Sequence, residues 1–472
     1  MAGPCHNAVP RRQFLQDAAA GVAGLSLLGL GCEGQRRAQV GAGARPCNLL
    51  FIFADQMHGF ALGCMNHPDV LTPHLDQLAA SGTLFRNCYS AAPVCTPFRA
   101  NLFTGRYGSQ TGVLRNNQRI PEGARTLAAA LNDGGYTTSY VGKWHLGATG
   151  NVAVPAHLRG DFQHFIGYQA YNDYEKNVIF FDEDMAPRQF PRHRTDATGD
   201  VAIERLEAIA DRRFALFVSF QSPHYPEQPS PRFLDLYRDL RPTRRPNCQE
   251  IDPYIGTQEP PSRRETDPVY RIYGNNLDEY LRRYYALVTQ LDDNVGRILD
   301  RLRQLGREDD TVVIFTSDHG DMQGSHGLKN KNRYYEESVR IPCIVRDPRG
   351  KRGDAREELV SSVDFFPSVL DYAGLAPEPT AEGRSVLPLT RGRGSDWEDV
   401  VISESCGAAG GDWLMVRMGR YKLVADRRLQ PVVLFDLERD PYEMRDVLAQ
   451  EGRRAASLRQ RLVAWHEHVT RG

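Results

Sequence analysis

The sequence predicts an α/β fold: a doubly wound, mostly parallel sheet flanked by helices, with a smaller C-terminal α+β subdomain. Three observations carry this. Short continuous apolar runs recur at Asn48–Ala54, Phe214–Phe220 and Thr311–Thr316, as expected of strands buried on both faces. Between them lie segments of helical pattern, Ala124–Asn132, Asp200–Asp211 and Leu277–Leu305, and strands alternating with helices build parallel sheets. After about residue 376 the pattern changes to short strands and one last helix.

In chain order, Asn48–Ala54 is a strand that ends in Asp55-Gln56. Thr72-Pro73 opens a helix through Leu75, Leu78 and Ala79 that closes at Ser81-Gly82. Cys95-Thr96-Pro97 opens another, with Thr96 as its cap, Pro97 at its first position and Gly105 at its end. Ala124–Asn132 is helical up to Gly134-Gly135, and Thr137–Val141 is the next strand. Asp200–Asp211 is a helix before the strand Phe214–Phe220. Residues 226–276, rich in Pro, Arg and acidic groups, read as a long surface insertion. Leu277–Leu305 is a long amphipathic helix stopped by Gly306, and Thr311–Thr316 is a strand ending in Ser317-Asp318-His319. Ile341–Val345 is a fourth strand and Val363–Tyr372 a helix. Met415–Val424 and Val432–Leu437 are short antiparallel strands, and Arg453–Val469 is the final helix. Asp55, His224 and Asp318 all fall just past strand ends, where open α/β sheets bind ligands.

Composition narrows the function. The chain has 472 residues, 41% hydrophobic and 25% charged, with 58 Lys and Arg against 59 Asp and Glu. A net charge of −1 provides no global field to gather nucleic acid. No apolar run reaches the ~18–20 residues that span a bilayer. Nine cysteines are too few for a disulfide scaffold, and an odd number leaves one unpaired.

The chain divides into residues 1–31, 32–46, 47–375 and 376–472. Arg11-Arg12-Gln13-Phe14-Leu15 and the apolar stretch Ala18–Leu30 resemble a twin-arginine export signal, and Leu28-Gly29-Leu30-Gly31-Cys32 resembles a lipoprotein processing site. Residues 32–46 read as a linker. These features predict a bacterial protein exported to the periplasm or lipid-anchored at the surface. The catalytic domain would span 47–375 and the C-terminal subdomain 376–472.

Cys95 at a helix N-terminus, with Arg99 four residues on, is a place to hold a tetrahedral anion beside a nucleophile. Cys95-Thr96-Pro97-Phe98-Arg99, followed by Thr104-Gly105, resembles the signature of the type I sulfatases, within the alkaline phosphatase superfamily. Gly135–Gly147, containing Lys143-Trp144-His145, matches that family's second signature. Ser222-Pro223-His224, Ser317-Asp318-His319-Gly320, Lys331 before Tyr335–Pro342, and Leu434-Phe435-Asp436-Leu437 follow in the family's order. Asp55-Gln56 and Asp318-His319 resemble the branch of choline sulfatases and phosphonate monoester hydrolases, and Asn116 matches an active-site Asn of that branch.

The resemblance implies a sulfuric ester hydrolase in which a maturation enzyme, of the formylglycine-generating or radical type, oxidises Cys95 to formylglycine. Asp55, Gln56, Asp318 and His319, with residue 95, would hold one divalent cation, Ca²⁺ ahead of Mn²⁺ or Mg²⁺. Lys143 and Lys331 would neutralise sulfate oxygens, Arg99 would hold the nucleophile, and His224 or Lys331 would protonate the leaving alcohol. His145 would then take a proton from the second hydroxyl of residue 95, so that the covalent sulfo-enzyme releases sulfate. The expected substrate is a sulfate monoester of a carbohydrate, small alcohol or aryl group. The alternatives are a phosphonate monoester hydrolase or phosphodiesterase of the same superfamily, and a non-catalytic lipoprotein that binds sulfated glycans with Cys95 unmodified.

Overall fold

The computed structural model describes residues 46–250, 276–394, 396–406 and 411–471. The paired arginines, Cys32 and part of the expected insertion, 251–275, lie outside these residues. The main sheet contains β1 (Asn48–Asp55), β2 (Thr83–Tyr89), β3 (Thr137–Lys143), β4 (His164–Tyr168), β5 (Ile179–Phe181), β6 (Pro187–Gln189), β7 (Phe214–Pro223), β8 (Thr311–Ser317), β9 (Arg340–Ile341), β10 (Cys343–Arg346) and β11 (Asp354–Ser361). Their order is β11-β2-β10-β8-β1-β7-β3-β4-β5-β6, with β9 on β2. The run β8-β1-β7-β3-β4 is parallel throughout, while β10 lies antiparallel between β8 and β2.

The apolar runs form these central strands because both faces are covered. Leu50 and Ile52 of β1 pack with the helices Pro73–Ala80, Arg194–Ile209 and Leu277–Gln304, through residues such as Leu75, Leu206 and Leu291. Leu49, Phe51 and Phe53 pack the other way, against Cys95–Thr104, Leu127–Asp133 and Phe365–Tyr372. Each such side chain, fully buried, contributes about 1.5–3 kcal/mol. The parallel register then fixes the site. It sets Ala54 beside Ser317, Gly142 beside Ser219 and Asp55 beside Pro223. Asp55, Lys143, His224 and Asp318 therefore emerge together at the carboxyl rim.

A second sheet follows: β12 (Val400–Ser405), β13 (Trp413–Met418), β14 (Tyr421–Ala425) and β15 (Pro431–Asp436), antiparallel throughout. The helix Gly452–Arg471 covers it with Leu458, Leu462 and Trp465. Glu404 N donates to the Ala91 carbonyl at 2.8 Å, tying β12 to the segment before Cys95.

Several elements depart from the sequence reading. Met415–Val424 is divided between two strands, because Gly419 turns back at φ 53°. β11 was hidden by its charges, which it carries as an edge strand with alternate residues exposed. The helix expected from Asp200 begins at Arg194, capped by the His193 side chain accepting from Thr195 N. Gly199 lies inside this helix, where a Cβ would collide with the Asn294 side chain. Residues 226–250 are not a surface excursion: Phe233 and Tyr237 are buried in the core, and Ser230 N donates to Gln290 Oε1 at 2.9 Å. Among the described residues no helix is long and apolar enough to cross a membrane.

Asp292 on the long helix accepts from Leu75 N (2.7 Å) and His74 N (3.1 Å), and caps the helix Pro73–Ala80. Burial pushes its carboxyl up to about 7, against these two donors. A carboxyl raised in the folded state favours folding in acid and loses that advantage as pH rises through the interval. The stability of the protein relative to its Asp292→Asn variant should fall by about 1.4 kcal/mol per pH unit between about pH 4 and 7. Urea unfolding of both at several pH values measures this, and a flat difference would refute it.

Candidate active site

The helix Cys95–Thr104 begins at Cys95 itself, with Val94 as its cap residue. Thr96, expected as the cap, lies inside the first turn. Its hydroxyl donates to the His145 carbonyl (2.6 Å) and accepts from Asn117 N (3.2 Å), while its own N–H donates to Asn116 Oδ1 (3.1 Å). The cap role therefore passes to a side chain from another loop. This arrangement ties the start of the helix to the loop after β3, where His145 holds a positive φ of 55°.

Cys95 is the point on which the other groups converge. Lys331 Nζ and His319 Nε2 each lie 3.2 Å from its sulfur, and Asp55 Oδ1 lies at 3.5 Å. His145 and His224 also lie beside it, close enough that Cys95 affects their titration. Cys95, Asp55, Asp318, His319 and Arg99 are completely buried, and Lys143 is 1% exposed. Burial alone would raise the Cys95 thiol. The ammonium groups of Lys331 and then Lys143 overcome this and hold it well below its ordinary value.

Arg99 does not present a free fork to an anion. One nitrogen donates to the Lys143 carbonyl (2.6 Å), Ser219 Oγ (2.9 Å) and the Tyr140 hydroxyl (3.2 Å). The other reaches Asp55 Oδ2 at 3.1 Å, and the guanidinium lies over the Phe53 ring. Asp55 Oδ2 also accepts from Lys143 Nζ at 2.6 Å. Burial and the Cys95 charge would raise the Asp55 carboxyl, but Lys143, His224 and Lys331 hold it below the usual carboxylate range.

The donor set fits a divalent cation. Ligand atoms from Asp55, Cys95, Asp318 and His319 lie within 4.8 Å of one another, all buried. Asp318 Oδ2 is buried without a hydrogen-bond partner, and burial together with the Asp55 charge pushes Asp318 up to about 7. His319 Nδ1 donates to the Gly320 carbonyl (3.0 Å), so its other nitrogen faces Cys95 with a lone pair to offer. Gln56 Oε1 accepts from Lys331 Nζ at 2.9 Å. A second group, His326, Glu337 and Glu443, is already balanced: Lys422 pairs with Glu443, and Arg245 with Glu337 at 2.8 Å. A cavity of about 310 Å³ lies between His58, Phe60, Arg245 and Tyr285 and is lined by none of the Cys95 group. Chemistry rather than volume locates the site.

His224 Nδ1 donates to the Tyr225 carbonyl at 2.6 Å. Burial, then the charges of Lys331 and Lys143, lower this ring below its ordinary value. His145 is pushed down to about 4, chiefly by burial. Its Nε2 meets Asn117 Oδ1 at 3.2 Å, and its buried Nδ1 has no hydrogen-bond partner.

The structure brings Asp55, Gln56, Cys95, Arg99, Asn116, Lys143, His145, His224, Asp318, His319 and Lys331 to this one rim. Sequence reasoning missed Asn117, Tyr140, Ser219, Asp321 and Asn330. Asp321 stands within three residues of Asp318, which was a usable signal. Ser219 and Tyr140 had none, since both read as ordinary strand residues.

Comparisons with known proteins point to one family. The sulfatase family model matches residues 47–375, and a model of the C-terminal region of N-sulphoglucosamine sulphohydrolase matches 324–468. An ulvan-active sulfatase of Formosa agariphila is 30% identical over 415 residues, covering 85% of this chain and 77% of the relative. The solved structure of the Bacteroides fragilis protein yidJ superposes with a TM-score of 0.78 at 28% identity, covering 91% of this chain and 98% of that one. A phosphonate monoester hydrolase from Silicibacter pomeroyi superposes with a TM-score of 0.71 at 25% identity, covering 90% and 95%.

Proposed function

The chain belongs to the sulfatase family and is a sulfuric ester hydrolase, and from that premise we propose that it cleaves sulfate monoesters carried on a carbohydrate or on a small alcohol or aryl group. The observation that carries this is the convergence of Lys331, His319 and Asp55 on position 95. The ulvan-active relative supports a carbohydrate. In this reading Cys95 is converted to formylglycine by a maturation enzyme, and its hydrate supplies one hydroxyl as nucleophile and a second for product release. Asp55, Gln56, Asp318, His319 and residue 95 would hold one cation, Ca²⁺ ahead of Mn²⁺ or Mg²⁺. When bound, the cation supplies Lewis-acid polarisation of the sulfate and a lowered pKa for a bound oxygen.

The remaining chemistry belongs to the chain's own side chains. Lys143 and Lys331 bring positive charge to the sulfate oxygens. Arg99 is a positioning residue: it holds the Asp55 carboxylate and the Lys143 carbonyl, and so the end of β3. Since a carbonyl can only accept, His224 carries its proton on Nδ1 and turns the other nitrogen to the site as an acceptor. Lys331 Nζ, an ammonium beside position 95, is then the group with a proton for the leaving oxygen. With its Nε2 donating to Asn117, His145 is a neutral base whose Nδ1 is open. His145→Ala should lower steady-state turnover about 10²–10⁴-fold while a burst of one equivalent of alcohol persists. Loss of the burst together with turnover would remove His145 from the second step.

The nearest rival is phosphonate monoester hydrolysis, which the Silicibacter pomeroyi neighbour keeps in view. The presence of both Lys143 and His145 at the rim favours the sulfatase. Turnover of a sulfate and a phosphonate ester of one phenol decides it: preference for the phosphonate would overturn the proposal. The Arg11-Arg12 segment supports export, as a periplasmic or lipid-anchored protein.

A further inference from the structure

We infer that Asp321 is a positioning residue that fixes the side-chain amide of Gln56 and supplies, one hydrogen bond away, the negative charge that Gln56 itself lacks at the cation centre. The inference rests on the cation centre proposed above. Gln56 is clamped at every polar group. Its backbone N donates to Asp318 Oδ1 (2.9 Å) and its carbonyl accepts from the Tyr284 hydroxyl (2.8 Å). The clamp holds the residue at φ 69°, a left-handed conformation that a glutamine does not adopt unaided. Its side chain is clamped as well. Nε2 donates to Asp321 Oδ2 at 2.5 Å and to Asn330 Oδ1 at 3.2 Å. Oε1 must therefore point the opposite way, toward Lys331 Nζ at 2.9 Å, and Lys331 in turn reaches Cys95.

Asp321 is itself completely buried and anchored. Tyr280, on the long helix, donates its hydroxyl to Oδ2 at 2.8 Å, and Gln323 N donates to Oδ1 at 3.1 Å. Gln56 Nε2, the Tyr280 hydroxyl and Gln323 N all donate to it, so Asp321 acts as an acceptor and dictates which end of the amide faces the site. A carboxylate bonded to the N–H₂ of an amide draws negative charge onto the amide oxygen, which makes that oxygen a better ligand for a hard cation. A carboxylate at position 56 would bring its charge directly. Here the same charge sits behind a neutral, precisely oriented relay that is not itself repelled by Asp55 and Asp318.

The test measures cation affinity in protein stripped of metal, by calorimetric titration with Mn²⁺ and with Ca²⁺, so that turnover plays no part. Asp321→Asn removes the negative charge behind the Gln56 amide and replaces one acceptor oxygen by an N–H₂, and should weaken binding about 10–100-fold. Gln56→Glu alone sets two carboxylates against each other and should also weaken it. The double variant Gln56→Glu/Asp321→Asn keeps one negative charge and restores donor-to-acceptor pairing, so its affinity should return to within about threefold of the parent. If Asp321 served only packing, the two losses would add instead. Should Asp321→Asn not fold, the double variant alone decides, by binding or failing to bind at parental affinity. Parental affinity in Asp321→Asn, or a double variant as weak as the worse single one, would overturn the inference. A parent protein that takes up neither cation would instead overturn the cation centre on which the inference stands.

Discussion

Cys95→Ala should reduce hydrolysis of a sulfate ester to the uncatalysed background, a loss of at least about 10⁶-fold, with little change in stability. The thiol lies where Lys331, His319, Asp55, His145 and His224 all point. Removing one buried sulfur atom leaves a small cavity among polar neighbours and should cost about 1 kcal/mol. Steady-state assays and a urea unfolding curve of the same preparation check both halves. Sustained turnover by the alanine variant would end the assignment of position 95 as nucleophile. The tryptic peptide Asn87–Arg99 gives a direct companion measurement, since an aldehyde in place of the thiol is visible by mass. A free thiol in active enzyme would remove formylglycine from the scheme.

Asp55→Asn should be the most damaging single change that conserves shape. Asp55 Oδ2 is the shared anionic partner of Lys143 (2.6 Å) and Arg99 (3.1 Å), and none of the three is more than 1% exposed. Removing one member of a buried ion pair costs about 3–5 kcal/mol, because the remaining charge is left desolvated and unpaired. The variant should also bind cation at least about 100-fold more weakly and lose about 10³-fold or more in turnover. The pH dependence has a definite sign. Asp55 is depressed in the folded state, so its contribution is present at neutral pH and fades as pH falls below about 4. Unfolding free energies of parent and variant should therefore converge in acid. A variant as stable as the parent at pH 7, or one still binding cation at parental affinity, would refute the role given to Asp55.

The central strands could be read from the sequence because burial on both faces leaves a mark: NLLFIFA in β1 and TVVIFT in β8 admit little else. The strands β4, β5, β6 and β11 could not. They are short or lie toward the sheet edges, and β11 breaks its apolar pattern with Asp354, Arg356, Glu357 and Glu358, of which Glu357 is exposed. At the site, residue identities were legible because they stand in recognisable strings after strand ends. The use of those residues was not. Arg99 looked like an anion fork, and its guanidinium is engaged by Asp55, Ser219, Tyr140 and the Lys143 carbonyl. Thr96 looked like a helix cap, and its hydroxyl fixes the His145 loop.

The sequence by itself determined the alternating α/β order, the ends of the strands that carry ligands, and the family to which the chain belongs. Each of these is written in residues that are neighbours along the chain, where burial pattern, capping and motif spacing act. Only the tertiary structure decided that Lys331, 236 residues from Cys95, and His319, 224 residues away, reach the same sulfur. It also decided that Gln56 turns its oxygen and not its nitrogen toward them. Hydrogen bonds act over about 3 Å and depend on direction, so strand register and packing, which gather distant segments at one rim, set what each side chain can touch.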